Sequence, residues 1–226
     1  MVEAAGIRTI DLTFRAWGNI LTTMRLDLHV HTTLSACSQL DLDQLVAGAA
    51  ARGLDGVCIT DHDTMAVRHH LREGRQVNGL YVFFGMEYAT RQGDFLIFGP
   101  FEEIAADLSA PDLLRQVHGA GGVAVAAHPY RPGRSTSEGL LQNGLCSIAE
   151  GINGRNGAAA NEQAMDLPAR FGTHLVGGSD AHSLPELGRV ATHFLTEISS
   201  RADLVTALKS GRYAPHSSLA SHALCA

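Results

Sequence analysis

The sequence predicts an α/β fold with alternating strands and helices, and three observations support this prediction. Short apolar runs recur along the chain, and their near-continuous apolar character is typical of parallel strands covered on both faces. Segments with recognisable helix ends separate these runs. Charged residues and histidines gather where the runs end. The repeated order of strand, helix and strand favours parallel pairing with right-handed crossovers, in either an open doubly wound sheet or a closed barrel.

Seven apolar runs are the strand candidates: MRLDLHV (24–30), DGVCIT (55–60), LYVFFGME (80–87), GGVAVAAH (121–128), CSIAEGIN (146–153), THLVGGSD (173–180) and RVATHFL (189–195). The helices between them are marked by their ends. A helix over 41–52 begins at Asp41 and stops at Gly53, and capping patterns at Ser109 and Ser200 begin two more helices. In the segment 157–171, Pro168 is expected to end or kink the helix.

The 226 residues are interpreted as one domain, because no linker, internal repeat or shift of composition divides them. We predict that residues 24–213 form this domain. Residues 1–23 differ in character from the rest of the chain and are expected to be a leader, either disordered or an added strand. Residues 214–226 are expected to form a C-terminal tail.

The composition narrows the class of protein. With 45% hydrophobic and 18% charged residues, the chain is typical of a globular protein. Its net charge of −6 and its lack of a basic stripe argue against long duplex nucleic acid as a partner. No run approaches the roughly 20 apolar residues that span a bilayer, so no membrane association is expected. Four cysteines without a CxxC pair indicate free thiols and a cytoplasmic protein.

The ends of five apolar runs carry residues that can bind a metal: His29 and His31, Asp61 and His62, Glu87, His128, and Asp180 and His182. Each of these signals is weak alone, since a single HxH or Asp-His pair is common in packing and capping. In a parallel barrel, however, side chains at the C-terminal ends of different strands converge on one mouth. Imidazole and carboxylate groups suit zinc, manganese or iron, and there is no thiolate cluster for a structural Cys-rich zinc site. The shared position therefore predicts a metal centre.

Five segments, in this order, closely resemble motifs of the PHP (polymerase and histidinol phosphatase) superfamily: DLHVHTTLS, GVCITDHDT, GMEYAT, AAHPYR and GGSDAHS. The resemblance covers the chain from about residue 24 to residue 212. It implies a distorted (β/α)7 barrel with two or three divalent metal ions, manganese, zinc or iron, that hydrolyses phosphate esters. An amidohydrolase barrel also begins with HxH, but the early Asp-His and the late Asp-x-His favour the PHP superfamily.

The resemblance also implies which residues bind which metal. The first metal is expected at His29, His31, Glu87 and Asp180, the second at Glu87 and His128, and the third at His62 and His182.

Two departures from the family pattern leave the number of metals open. Many relatives have Ser-Asp-Gly, with the Asp as a ligand of the third metal, where this chain has Ser35-Ala36-Cys37. Cys37 is either a substitute ligand or a nearby structural thiol. Relatives often supply another histidine to the second metal from the strand near residue 150, where this chain offers only Asn153 and Asn156.

The matching residues predict a phosphoesterase in which metal-activated hydroxide attacks phosphorus in line. The expected substrate is a small phosphomonoester, a nucleotide or an oligonucleotide end, because the short spacings between motifs leave little room for an inserted cap domain. A catalytically degenerate PHP module that binds metal for regulation is the alternative interpretation.

Further residues are assigned catalytic roles. Arg131, in the HPYR motif, is expected to neutralise phosphoryl charge, with Arg134 and Arg155 as the other candidates. Asp61 either orients the neighbouring imidazole or caps the following helix. His182 is expected to protonate the leaving oxygen if its metal site is empty.

Overall fold

The computed structural model describes residues 23–217, so the expected leader over 1–23 and the end of the expected tail lie almost wholly outside the described residues. The described part is a mixed α/β fold, which confirms the predicted class. Its strands are β1 (Met24–Val30), β2 (Gly56–Ile59), β3 (Gly74–Arg75), β4 (Tyr81–Phe84), β5 (Met86–Thr90), β6 (Gly93–Phe98), β7 (Val123–Ala126), β8 (Ile148–Asn153), β9 (His174–Gly178), β10 (Val190–Phe194) and β11 (Tyr213–Ser217).

The described residues form six helices, and three of them begin where capping residues predict. They are α1 (Leu42–Ala51), α2 (Ala110–Gly119), α3 (Glu138–Gln142), α4 (Ala158–Met165), α5 (Leu167–Phe171) and α6 (Arg201–Ser210), with one 3₁₀ turn over Ala66–His69. The side chains of Asp41, Ser109 and Ser200 each accept a hydrogen bond from the backbone N–H three residues later. Pro168 lies in the first turn of α5, where its missing N–H costs nothing, and so separates α5 from α4.

The strands form two sheets. The six-stranded sheet has the order β11-β10-β1-β2-β4-β3, and the five-stranded sheet has the order β5-β6-β7-β8-β9. Pairing is parallel between β1 and β2, β2 and β4, β7 and β8, and β8 and β9, as predicted. The expectation of parallel pairing throughout was wrong, because β5, β6 and β7 pair antiparallel, as do β1, β10 and β11.

The missed strand β6 explains part of this difference. It follows β5 through a tight turn, which can only produce an antiparallel hairpin. The single run LYVFFGME is also two strands, since the chain passes from one sheet to the other at Gly85. A Cβ at Gly85 would lie 2.5 Å from the ring of Phe98, so only glycine fits this crossing.

The two sheets meet along two seams. At Gly85 the chain links β4 to β5, and beyond β1 the backbone N–H of His31 donates to the carbonyl of Ala181 at 2.9 Å. Near the same seam the N–H of Ser179 donates to the Asp27 carboxylate at 2.9 Å. Within residues 23–217 the hydrogen-bonded ladders therefore give two adjoining sheets, and no closed seven-stranded barrel is formed by them.

The C-terminal boundary of the sheet lies beyond the one expected. The sequence assigns residues 214–217 to a tail, but they belong to β11 and pair with β10. Within the described residues, Cys58 and Cys146 are buried, Cys37 is exposed, and all three are free thiols. None of the helices between residues 23 and 217 has the length and apolar character needed to cross a bilayer.

Candidate metal centre

Polar side chains from both sheets converge on one buried site. His29 lies in β1 and His31 follows it, Glu87 lies in β5, and Asp180 lies just beyond β9. All four side chains are at most 2% exposed. Buried ionisable groups are normally paired or bound to a metal. The distances between these side chains show which of them pair with one another and which could bind a metal.

The first ligand cluster contains these four residues. The Nε2 atoms of His29 and His31 are 3.0 Å apart, and Oε2 of Glu87 is 3.2 and 3.1 Å from them. Oδ1 of Asp180 is 3.5 and 3.3 Å from the same two nitrogens. One atom from each of His29, His31 and Glu87 thus belongs to a possible ligand group, and the Asp180 oxygen lies beside the two histidine nitrogens.

The second cluster shares Glu87. Its other oxygen, Oε1, is 2.8 Å from Nε2 of His128, which follows β7. Asp94, which the sequence analysis did not select, places Oδ2 3.7 Å from the same nitrogen. One atom from each of Glu87, Asp94 and His128 lies within 4.8 Å of the others, so this is a possible ligand group. The Glu87 carboxylate therefore stands between the first and second clusters.

The third cluster consists of His31, His62 and His182. The imidazole rings of His62 and His182 each have their centroid 4.4 Å from that of His31. One ring nitrogen from each of the three histidines lies within 4.8 Å of the others. The exposed residue Cys37 belongs to none of the ligand groups found among residues 23–217.

Glu150 is the main residue that the sequence analysis missed. It is fully buried in β8, where its Oε1 lies 2.9 Å from Nδ1 of His29. Its Oε2 accepts from the backbone N–H of His128 and from the Asn153 amide, both at 2.8 Å. A carboxylate on the far nitrogen of a ligand imidazole fixes its tautomer and orientation. The available signal was the single acidic residue inside the apolar run CSIAEGIN.

Asp61 supports the loop after β1. Its carboxylate accepts from the N–H and hydroxyl of Thr32, both at 2.7 Å, and from the Ser35 hydroxyl at 2.6 Å. The Ser35 oxygen in turn accepts from the N–H of His62 at 3.1 Å and lies 3.5 Å from Nδ1 of His31. Asp61 thus reaches the His31 imidazole and the His62 backbone through Ser35, and among residues 23–217 the structure gives no bond from its carboxylate to an imidazole.

The three candidate arginines differ in their contacts. Arg131 donates to Asp180 and Asn153 at 2.7 Å and to Asn156 at 3.0 Å, so it lies at the edge of the first cluster. The other two pair outside that cluster: Arg134 with Asp94, and Arg155 with Glu186 at 3.6 Å.

The buried groups strongly shift one another's ionisation. Burial disfavours charge on His29, but Asp180, Glu150 and Glu87 raise its pKa well above the ordinary value. Burial also opposes charge on Glu87, yet the His29 imidazole and bonds from neighbouring imidazoles hold its pKa well below the usual range. His29 and His31 likewise lower the pKa of Asp180 despite its burial. The charged forms of the Glu87 and Asp180 carboxylates are therefore favoured, and they require positive charge, which imidazolium groups or metal ions can supply.

The backbone is constrained at two ligand candidates. The φ angle is +31° at His128 and +54° at Asp180, in the left-handed region that favours glycine. Such conformations cost on the order of 1–3 kcal/mol and cluster at functional sites. Gly178 lies beside His29, where a Cβ would come within 2.5 Å of the histidine Cβ. Local backbone strain at His128 and Asp180 and a close contact at Gly178 therefore accompany the convergence of the ligand candidates.

Comparison with known families agrees with this geometry. The family model for the PHP domain matches residues 27–132, and the model for the PHP-associated region matches residues 158–213. The chain belongs to the PHP family. The two matches include all the ligand candidates predicted from the sequence, whereas Arg134, Glu150 and Asn153 lie between the matched ranges.

Similar proteins and structures support the fold of this PHP chain. A protein of Caldicellulosiruptor bescii named "Probable phosphatase" is 23% identical over 199 residues, covering 74% of this chain and 83% of its own. The structure of PsfC from Pseudomonas syringae has a TM-score of 0.72 at 18% identity, covering 89% of this chain and 94% of PsfC. The lesion-specific endonuclease Q from Pyrococcus furiosus has a TM-score of 0.62 at 16% identity, covering 84% of this chain and 56% of its own. A further endonuclease Q structure holds a 27-mer duplex with an abasic lesion at its active site.

Proposed function

We propose that this PHP protein is a metal-dependent phosphoric ester hydrolase that binds two or three divalent cations, manganese, zinc or iron. The position of Glu87 carries the proposal. One carboxylate oxygen approaches the imidazoles of His29 and His31, and the other approaches His128. A carboxylate shared in this way is suited to bridging two cations.

The donor set fits such cations. The candidate ligands are imidazole nitrogens and carboxylate oxygens, which zinc, manganese and iron accept. The first metal would be held by His29, His31, Glu87 and Asp180, the second by Glu87 and His128, and the third by His62 and His182. Divalent cations in such a site supply a nucleophile from water at neutral pH and polarise a phosphoryl oxygen.

Two residues beside the proposed metal sites would bind the substrate's phosphoryl group or hold the ligands in place, and a third, His182, is itself a ligand candidate. Arg131 is 24% exposed, and its guanidinium is held by Asp180 and Asn153, so it can donate to a phosphoryl oxygen with little reorganisation. Asp61 would act as a positioning residue that holds the loop carrying the ligands. His182 Nδ1 lies 2.9 Å from the carbonyl of Asp180, which can only accept, so that nitrogen carries the proton.

The state of His182 favours a ligand role over proton donation. With the proton on Nδ1, its Nε2 is left with a lone pair that suits a metal. Burial and the nearby His31 lower the pKa of His182, which further favours the neutral form. We therefore prefer His182 as a ligand of the third metal to the alternative in which it protonates the leaving oxygen.

We propose a small phosphomonoester, a nucleotide or an oligonucleotide end as substrate. The fold likeness to endonuclease Q, which binds DNA in its complex, supports the oligonucleotide option, although this chain has a net charge of −6. We also propose that the two sheets together correspond to the distorted barrel of the family. The buried free thiols of Cys58 and Cys146 support a cytoplasmic location.

The test is an assay of protein purified without chelator and then loaded separately with manganese, zinc or iron. Substrates would be p-nitrophenyl phosphate, a panel of phosphorylated metabolites, and nucleotides and short oligonucleotides with 5′ or 3′ phosphates. We expect metal-dependent release of phosphate or nucleotide that a chelator abolishes. Full metal occupancy without turnover of any of these would instead identify a degenerate, regulatory module. If an amide substrate assayed in parallel is hydrolysed and none of the phosphate esters is, an amidohydrolase is favoured instead.

A further inference from the structure

The second cluster is short of ligands if only the predicted residues are counted. Glu87 and His128 offer one atom each. Protein sites for zinc and similar cations normally use three or four protein ligands. The missing ligand was expected from β8 or the loop that follows it, where the sequence offers Asn153 and Asn156.

The residues of β8 and its loop are committed to other partners. Both oxygens of Glu150 are bonded, one to His29 and the other to the backbone of His128 and to Asn153. The side-chain oxygen of Asn153 accepts from Arg131 at 2.7 Å and from the N–H of Arg155 at 2.9 Å.

Asn156 is engaged in the same way. Its side-chain oxygen accepts from Nε of Arg131 at 3.0 Å. The two asparagines therefore hold an arginine in place, and their oxygens are not directed at the second cluster.

Asp94 stands where the missing ligand is needed. It enters from β6 and is 2% exposed, with Oδ2 3.7 Å from Nε2 of His128. A buried carboxylate next to the charged Glu87 is unfavourable unless positive charge compensates it.

Arg134 supplies part of this compensation. Its Nε lies 2.6 Å from Oδ2 of Asp94, and a terminal nitrogen lies 3.0 Å from Oδ1. A carboxylate has about four lone-pair sites, so these two bonds leave room for a cation.

We propose that Asp94 is the third protein ligand of the second metal site and that Arg134 is the positioning residue that fixes its carboxylate. The inference rests on the proposed metal-dependent function. It places the completion of the second site on β6 rather than on β8. It also gives a role to an arginine that lies between the two ranges matched by the family models.

The chain contains a matched control for this pair. Arg201 binds Glu73 with the same two-point geometry, Nε to Oε1 at 2.8 Å and a terminal nitrogen to Oε2 at 2.7 Å. Glu73 belongs to none of the ligand groups among the described residues. Breaking this pair tests the loss of an arginine–carboxylate contact without touching the metal site.

The experiment compares Asp94→Asn and Arg134→Gln with the control variants Glu73→Gln and Arg201→Gln. Each protein is stripped with a chelator and titrated with Mn²⁺, and calorimetry and EPR give the stoichiometry, the affinities and the spin-coupled signal of a metal pair. We expect the wild type to bind a coupled pair. Asp94→Asn should weaken one of the two ions by about 100-fold and remove the coupled signal, and Arg134→Gln should weaken that ion by about 10-fold. The control variants should bind Mn²⁺ as the wild type does.

Two further variants sharpen the result. Asp94→His offers another ligand atom and should restore the coupled pair, while Arg134→Lys should retain more affinity than Arg134→Gln. If Asp94→Asn does not fold, the two Arg134 variants carry the test, because they keep Asp94 itself. A wild type that binds one Mn²⁺, or an Asp94→Asn protein with an unchanged coupled pair, overturns the inference. A wild type that binds the pair but hydrolyses no phosphate ester overturns the proposed function instead.

Discussion

The first and third ligand clusters share His31, and they differ in how firmly their other histidines are held. We call the His29 side the inner end and the His62 side the outer end. At the inner end, His29 is fully buried, and its far nitrogen is bonded to Glu150. At the outer end, the side chain of His62 is 35% exposed, and Nδ1 is 3.1 Å from the shared Glu87 carboxylate. The inner candidate ligand is oriented by a buried carboxylate, whereas the outer candidate ligand is partly open to solvent. Preorganisation of this kind favours tight binding and precise catalysis, so the inner sites should dominate both.

The largest effect is expected at the carboxylate that joins the clusters. Glu87→Gln removes the charge that faces His29 on one side and His128 on the other. A metal pair stabilises the transition state by several kcal/mol, so its loss should lower kcat/KM by about a thousandfold. Phosphate release and metal content by mass spectrometry would measure this. Glu197→Gln, a change at an exposed glutamate, is the control. Normal metal content in the Glu87→Gln protein would contradict the view that Glu87 joins the first and second clusters.

A smaller effect is expected at the residue behind the inner ligand. Glu150→Gln should lower the affinity of the first metal by about 10- to 100-fold, because the His29 imidazole loses its charged partner. Calorimetric titration with Mn²⁺ measures the affinity directly. Restoration of the affinity by Glu150→Asp would indicate that charge, rather than side-chain length, is responsible. Wild-type affinity in the Gln variant would show that His29 is held by packing alone.

The smallest effect is expected at the outer end. His62→Asn should remove the weakest of the bound ions and lower kcat/KM by about tenfold, while the spin-coupled pair remains. Cys37→Ser is the matched control, since Cys37 is exposed and outside the ligand groups of residues 23–217, and it should leave metal binding unchanged. Loss of the coupled pair in His62→Asn would mean that the outer end is as important as the inner end. A thiolate-to-metal absorption band in the cobalt-loaded wild type would show that Cys37 is a ligand.

The sequence predicted most of the candidate centre because its ligands occupy a recognisable position. His29, His31, His128 and Asp180 stand at or just beyond strand ends, and such residues can be selected before any contact is known. The starts of α1, α2 and α6 were equally predictable, since a cap such as Ser109 depends on residues three positions apart. These features are local in the chain.

The features that the sequence did not predict are non-local. His29 and Glu150 are 121 positions apart in the sequence, and nothing in CSIAEGIN indicates which imidazole the glutamate would meet. Asp94 was missed with its strand, because β6 follows β5 so closely that the alternation of strands and helices fails there. Glu150 meets His29 only when the two sheets are placed together, whereas Asp94 lies near His128 within the five-stranded sheet and was missed because its strand was missed.

The seams between the two sheets have a consequence for folding. The six-stranded sheet provides His29, while the five-stranded sheet provides Glu87, so an ion held by both would cross-link segments that are distant in the unfolded chain. A ligand that binds only the folded chain raises its free energy of unfolding with the logarithm of ligand concentration. The concentration of divalent metal would then change the free energy of unfolding of this protein as well as its activity.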